Sequence, residues 1–135
     1  MSLIQLIYAS QPFGFNQPAL AGILLDARRC NMRDGITGAL ICRDDLFLQL
    51  LEGPADKVQA TYTRIRRDDR HLDVRQMSSR AISDQGRLFA NWAMRDDPAQ
   101  SWVWTRAEID AGILDNAKDN DAIALFERLA VIPAI

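Results

Sequence analysis

Histidine and cysteine are nearly absent from this sequence, which has one histidine, His71, and two cysteines, Cys30 and Cys42, among its 135 residues. The cysteines form no C-x-x-C pair, so a disulfide framework and a thiolate zinc site both lack ligands. A single histidine likewise leaves a Ser-His-Asp or Cys-His hydrolase and a histidine metal centre without partners. Reduced thiols and no metal are expected. Long hydrophobic runs are missing too: the longest, such as 46–51, fall far below the ~18–20 residues that a membrane span needs. The chain opens directly on Leu3-Ile4-Gln5-Leu6-Ile7, with neither a basic leader nor a small-residue cleavage site. A cytoplasmic location with no membrane partner is the expectation. Basic charge is almost all arginine and scattered. Residues 1–95 carry 13 Lys/Arg against 10 Asp/Glu, about +3, and residues 96–135 carry 3 against 8, about −5. The arginines lack the interleaved aromatics of a nucleic-acid platform, so no nucleic-acid partner is expected.

What is present is ordinary globular material. With 48% hydrophobic and 25% charged residues and a net charge of −2, the chain reads as one soluble domain, long enough to bury roughly 65–70% of its unfolded surface. Residues 3–9 alternate with both faces apolar, as in a central strand. Pro12 and Gly14 mark a loop, and Asn16 and Pro18 a helix start. The helix is expected to run to about Cys30, with Leu20, Ile23, Leu24 and Ala27 on one face. A turn at Arg33-Asp34-Gly35 leads into strands 36–42 and 46–51, a hairpin through Arg43-Asp44-Asp45. Gly53-Pro54 opens a second helix with Val58, Tyr62 and Ile65 on its apolar face, and with Arg64, Arg66 and Arg67 on solvated faces. Asp68 to His71 closes it. Strand 72–82, a turn at Asp84-Gln85-Gly86 and strand 89–94 follow. The order β-α-β-β-α-β is the ferredoxin-like α+β arrangement, with two helices on one sheet face and here a fifth strand. Beyond Asp97-Pro98, residues 105–116 and 120–131 read as two short helices.

A few polar residues do not fit a plain core. Gln49 shares the face of Phe47 and Leu51, and a buried amide left without partners costs about 1–3 kcal/mol. Tyr8 shares the face of Ile4 and Leu6, and its hydroxyl needs a partner. Asn31, at the expected helix end, reads by itself as a terminator that tolerates left-handed geometry. Trp92 and Met94 share one face of the last strand and read singly as core.

Taken together, Tyr8-x-Ser10, Asn31-x-x-x-Gly35-Ile36-Thr37-Gly38, Phe47-x-Gln49-x-x-Glu52-Gly53, Asp69-Arg70-His71 and Phe89-x-x-Trp92-x-Met94 stand in one order with suitable separations. This set resembles the BLUF domain, the flavin-binding sensor of blue light, over roughly residues 2–96. The resemblance implies a flavin, usually FAD, with its ring between the two helices. It implies Ile23 and Ile65 flanking the ring, Asn31 and Gln49 at its polar edge, and Arg70 and His71 at the ring edge or phosphates. It implies photochemistry in which Tyr8 donates an electron, Gln49 relays the proton, and Trp92 and Met94 pass on the change, without net catalytic turnover. Two positions depart from common family patterns: Cys30 stands where Asn or His is frequent, and Ala27 where Ser is.

The expectation is a short blue-light photoreceptor, with residues 1–96 as the flavin-binding domain and 97–135 as a helical extension packed on it. No effector domain fits the remaining residues, so a separate downstream signalling protein or a homo-oligomer is expected to carry the output. Trp102 and Trp104 are candidate interface anchors. A small flavin-dependent enzyme and a cofactor-free interaction module on the same fold are the alternatives.

Overall fold

The computed structural model describes residues 2–12, 17–42, 46–68, 71–95, 107–108 and 119–130. Strand β1 (Leu3–Pro12) is followed by helix α1 (Gln17–Asp34), the strands β2 (Thr37–Cys42) and β3 (Phe47–Pro54), helix α2 (Ala55–Arg66) and strand β4 (His71–Ile82). A single 3-10 turn (Asp84–Gly86) leads to strand β5 (Trp92–Arg95), and helix α3 (Asp119–Ala130) closes the described chain. The sheet order is β4-β1-β3-β2-β5. The first four strands pair antiparallel and β5 joins β2 in parallel, so the fold is the expected α+β ferredoxin-like one with an added fifth strand. The hairpin connection at 43–45 lies outside the described residues, as do Trp102, Trp104 and most of 105–116.

Strand β1 is apolar on both sides because it is covered on both sides. Leu6 and Tyr8 join Ile36, Leu51, Val58 and Tyr62 in one buried cluster, and Ile23, Leu40 and Phe47 form a second beside it; together they lie under α1 and α2. Ile7 and Ala9 point the other way, into a cluster with Ala39, Ile41, Leu48, Leu50 and Met77. Helix α3 covers that second face with Ala122, Leu125 and Phe126, all buried. The three residues repeat at i, i+3 and i+4, the spacing that puts one helical stripe on a sheet.

Helix α1 does not stop near Cys30. It continues to Asp34, and Gly35, at φ 71°, takes the left-handed position after it. The amide of Ile36 donates to the carbonyl of Asn31 at 2.9 Å, the long bond of a Schellman cap, which needs a residue without Cβ strain at Gly35. Asn31 is therefore inside the last turn and is not the terminator; glycine ends the helix. Gly38 is constrained as well. It stands opposite Trp92 across the β2–β5 pair, and a Cβ there would fall 1.9 Å from the Leu50 carbonyl oxygen.

Candidate functional site

Period-two alternation places Tyr8 and Gln49 on the helix-covered face of adjacent strands, and the β1–β3 register sets them directly opposite each other. Both are almost fully buried, at 0% and 4% exposure. The Gln49 amide Nε2 donates to the Tyr8 hydroxyl oxygen, and the Trp92 indole Nε1 donates to Gln49 Oε1 at 2.7 Å. An indole is only a donor, so it selects the carbonyl end of the amide and turns the NH₂ toward Tyr8. The Tyr62 ring of α2 backs the Tyr8 ring at 5.7 Å between centroids, tilted by 45°. Burial pushes the Tyr62 phenol above its ordinary pKa, with Arg66 pulling the other way; the guanidinium carbon lies 5.8 Å from the ring centre.

Above this pair, α1 and α2 leave a cleft of about 220 Å³ over the sheet, walled by Ile23, Ala27 and Asn31 from α1, Thr61 and Ile65 from α2, and Tyr8, Leu40 and Gln49 from below. Five residues singled out in the sequence, Tyr8, Ile23, Asn31, Gln49 and Ile65, thus meet in one cavity. The two departures from the family pattern, Ala27 and Cys30, also line it. Arg70 lies outside the described residues, as do the side chains of His71 and Met94. The backbone of His71 opens β4 opposite Pro12, and that of Met94 stands opposite Leu40.

Sequence reasoning misses four polar lining residues, Asp26, Thr61, Arg64 and Asp68. Asp26 and Asp68 sit at the cleft, as does Arg64, which the helix pattern assigns to a solvated face and whose guanidinium donates to Thr61 Oγ1 at 3.1 Å. Asp26, Thr61 and Arg64 flank the apolar stripes of the two helices and Asp68 follows α2, so a search for apolar periodicity passes over them. The bond from Trp92 to Gln49 was also missed. It depends on β5 lying beside β2, a non-local pairing with no sequence signature of its own.

One atom of the cleft stands out chemically. Asn31 is 2% exposed, yet its Oδ1 has no hydrogen-bond donor among the described residues. A buried acceptor left alone costs roughly 1–3 kcal/mol, a cost that a ligand bearing an N–H could remove. With aliphatic walls from Ile23 and Ile65 and an amide at Gln49, the donor set fits a flat heteroaromatic group with a polar, N–H-bearing edge, which a flavin ring is.

Fold and cleft together define the class, a small α+β domain whose cleft between two helices and its sheet fits a planar cofactor. The chain belongs to the BLUF family, sensors of blue-light using FAD, whose sequence profile matches residues 3–95. It is 49% identical over 55 residues to photoactivated adenylate cyclase subunit beta of Euglena gracilis, a match covering 41% of this chain and 6% of that protein. It is 42% identical over 48 residues to the blue light- and temperature-regulated antirepressor BluF of Escherichia coli K12, covering 36% and 12%. The chain thus spans only a small part of the curated relatives it matches. Among solved structures, the dark state of the BLUF protein BlrB superposes with a TM-score of 0.72 at 28% identity, covering 96% of both chains. The photo-activated state of BlsA superposes at 0.75, covering 98% of both, and its 22% identity speaks for the fold alone. FAD is the cofactor of the family, and the donor set of the cleft fits it.

Proposed function

We propose that this chain is a blue-light switch in which Tyr8 and Gln49 carry the photochemistry and Trp92 reads its result. Bound FAD supplies the absorption of blue light and an acceptor for one electron. Tyr8 gives up an electron and, once the Gln49 amide has turned its Oε1 from Trp92 toward the phenol, its phenolic proton, which Gln49 accepts at Oε1 and passes on. Both return to Tyr8, so no net turnover occurs. The amide of Gln49 is left in a changed orientation or tautomer. Ile23 and Ile65 hold the ring from the two helices, Asn31 accepts from its polar edge through Oδ1, and Arg70 and His71 serve the ring edge or the phosphates. Trp92 and Met94 relay the change to a separate signalling protein, or across a homo-oligomer, in the cytoplasm.

The observation that carries this reading is that the Gln49 amide is bonded at both ends inside the cleft. Turning it over would set its NH₂ against the Trp92 N–H, two donors face to face, and would take away the acceptor that the indole now holds. Reorganisation of Gln49 therefore drives the Trp92 side chain away, which gives the two discrete arrangements that a switch needs.

The test is an absorption spectrum of the purified protein, in darkness and after blue light. One flavin per chain is expected, with a small red shift on illumination that reverses in darkness. A colourless protein that takes up no FAD on refolding would falsify the proposal.

A further inference from the structure

On the sheet face away from the cleft, a row of polar side chains crosses four strands at one level. Arg80 on β4 stands opposite Gln5 on β1, Gln5 opposite Glu52 on β3, and Glu52 opposite Thr37 on β2. Arg80 Nε donates to Gln5 Oε1 at 2.9 Å, Gln5 Nε2 donates to Glu52 Oε2 at 3.3 Å, and Thr37 Oγ1 donates to Glu52 Oε1 at 3.3 Å. Glu52 is fully buried. Its carboxylate takes two further donors, the backbone N–H of Leu88 on Oε2 at 3.0 Å and that of Phe89 on Oε1 at 2.8 Å. Each oxygen thus accepts one backbone and one side-chain donor, the satisfaction that a buried carboxylate requires. Arg87, the preceding residue, ties the same corner by donating to the carbonyl oxygens of Gly35 and Glu52, each at 3.1 Å, and to Thr37 Oγ1 at 3.0 Å.

The segment held in this way joins the two faces of the sheet. Phe89 packs on the far face in the cluster that includes Ala122, Leu125 and Phe126 of α3. Three residues later, Trp92 reaches Gln49 on the cleft face. Residues 89–92 therefore run from α3 to the photochemical amide, and Glu52 grips one end of that path by two backbone amides.

We propose that Glu52 is a positioning residue for the switch: the fixed point about which movement of Trp92 at Gln49 is passed to Phe89 and α3. This rests on the switch reading above. Without the grip, a shift of β5 is absorbed by slack in the chain before it, and α3 stays still. A carboxylate is required because both oxygens must accept from backbone; the isosteric amide of glutamine offers one acceptor and sets its NH₂ against the other N–H.

The experiment uses the full chain loaded with FAD and reads two signals, the light-induced red shift and the light-minus-dark difference in amide hydrogen exchange over 119–130. Wild type is expected to show both. Glu52→Gln is expected to keep the red shift at its wild-type size and to lose at least two-thirds of the exchange difference, an outcome that general loosening of the fold would not give, since it would raise exchange equally in light and darkness. A full exchange difference in Glu52→Gln, or none in a wild type that shows the red shift, overturns the proposal. Absence of the red shift in wild type overturns the switch reading instead. Should Glu52→Gln not fold, Arg87→Met is measured in its place, with the same loss supporting the proposal and an undiminished difference overturning it.

Discussion

The Trp92 indole N–H lies 2.7 Å from the Gln49 carbonyl oxygen, so that an edge strand is attached to the centre of the sheet through one side-chain amide. If the amide reorganises in light, this bond is the first to go. The Trp92 indole proton resonance is expected to move upfield on illumination and to exchange faster with water. Gln49→Leu should place it at the same upfield position already in darkness. An indole resonance that light leaves in place would separate Trp92 from the switch.

Tyr8→Phe and Gln49→Leu test role against stability. Both replacements fill similar volume, so the cleft keeps its shape and the protein is expected to keep bound flavin. Tyr8→Phe leaves the buried Gln49 Nε2 without the oxygen it donates to, at a cost of about 1–3 kcal/mol of unfolding free energy. Neither variant should form the normal red-shifted state. Illuminated difference spectra decide, and a wild-type shift in either variant would remove that residue from the photochemistry.

Asn31→Ala separates the two states of the cleft. Its Oδ1 has no donor among the described residues, so deleting it costs the cofactor-free protein little. With FAD bound, the lost hydrogen bond is worth about 0.5–1.5 kcal/mol, or roughly a two- to tenfold rise in the dissociation constant. Titration of the refolded apoprotein with FAD measures it. Unchanged FAD affinity would remove Asn31 from the flavin's contacts.

How far the sequence reads depends on whether a feature is local. Alternation in β1 and β3 is a property of a few consecutive residues, so the strand face on which Tyr8 lies with Leu6, and that on which Gln49 lies with Phe47 and Leu51, are legible in the sequence. The end of α1 was misread because Asn31 and Gly35 can each stop a helix, and only the bond from Ile36 to Asn31 chooses between them. Glu52 stood in a recognised motif, but its burial depends on four donors from β1, β2 and the segment before β5. Those partners are far apart in sequence, and nothing in the neighbourhood of Glu52 announces them.

Tyr62 supplies a pH signature for the packing beneath α2. Its phenol is held above the ordinary value of about 10 by burial, so the unfolded chain loses this proton first as pH rises. The stabilisation is fully present below pH 10 and is lost as pH climbs through the folded value. Denaturant unfolding between pH 8 and pH 11 should show this decline, and Tyr62→Phe should flatten it. An equal slope in the variant would assign the decline to other groups.

The far face of the sheet makes the strongest claim on the rest of the chain. Ile7, Ala9, Ala39, Ile41, Leu48 and Leu50 are all fully buried there, and α3 supplies Ala122, Leu125 and Phe126 against them. Without α3 this surface is a contiguous apolar patch of the kind that soluble monomers seldom expose. Phe126→Ala is therefore expected to lower the unfolding free energy by about 3–5 kcal/mol, the usual cost of emptying a buried aromatic site. Deleting residues 97–135 should do more than destabilise. The bared face is expected to pair with another copy, so that solution mass rises or the protein precipitates, while the cleft on the other side still takes up FAD. Light scattering and an absorption spectrum of the truncated protein read the two sides independently. A truncated protein that stays soluble at unchanged oligomeric mass would show that residues 97–135 neither shield the face nor mediate assembly, because six buried apolar side chains cannot be turned to water without a consequence for association.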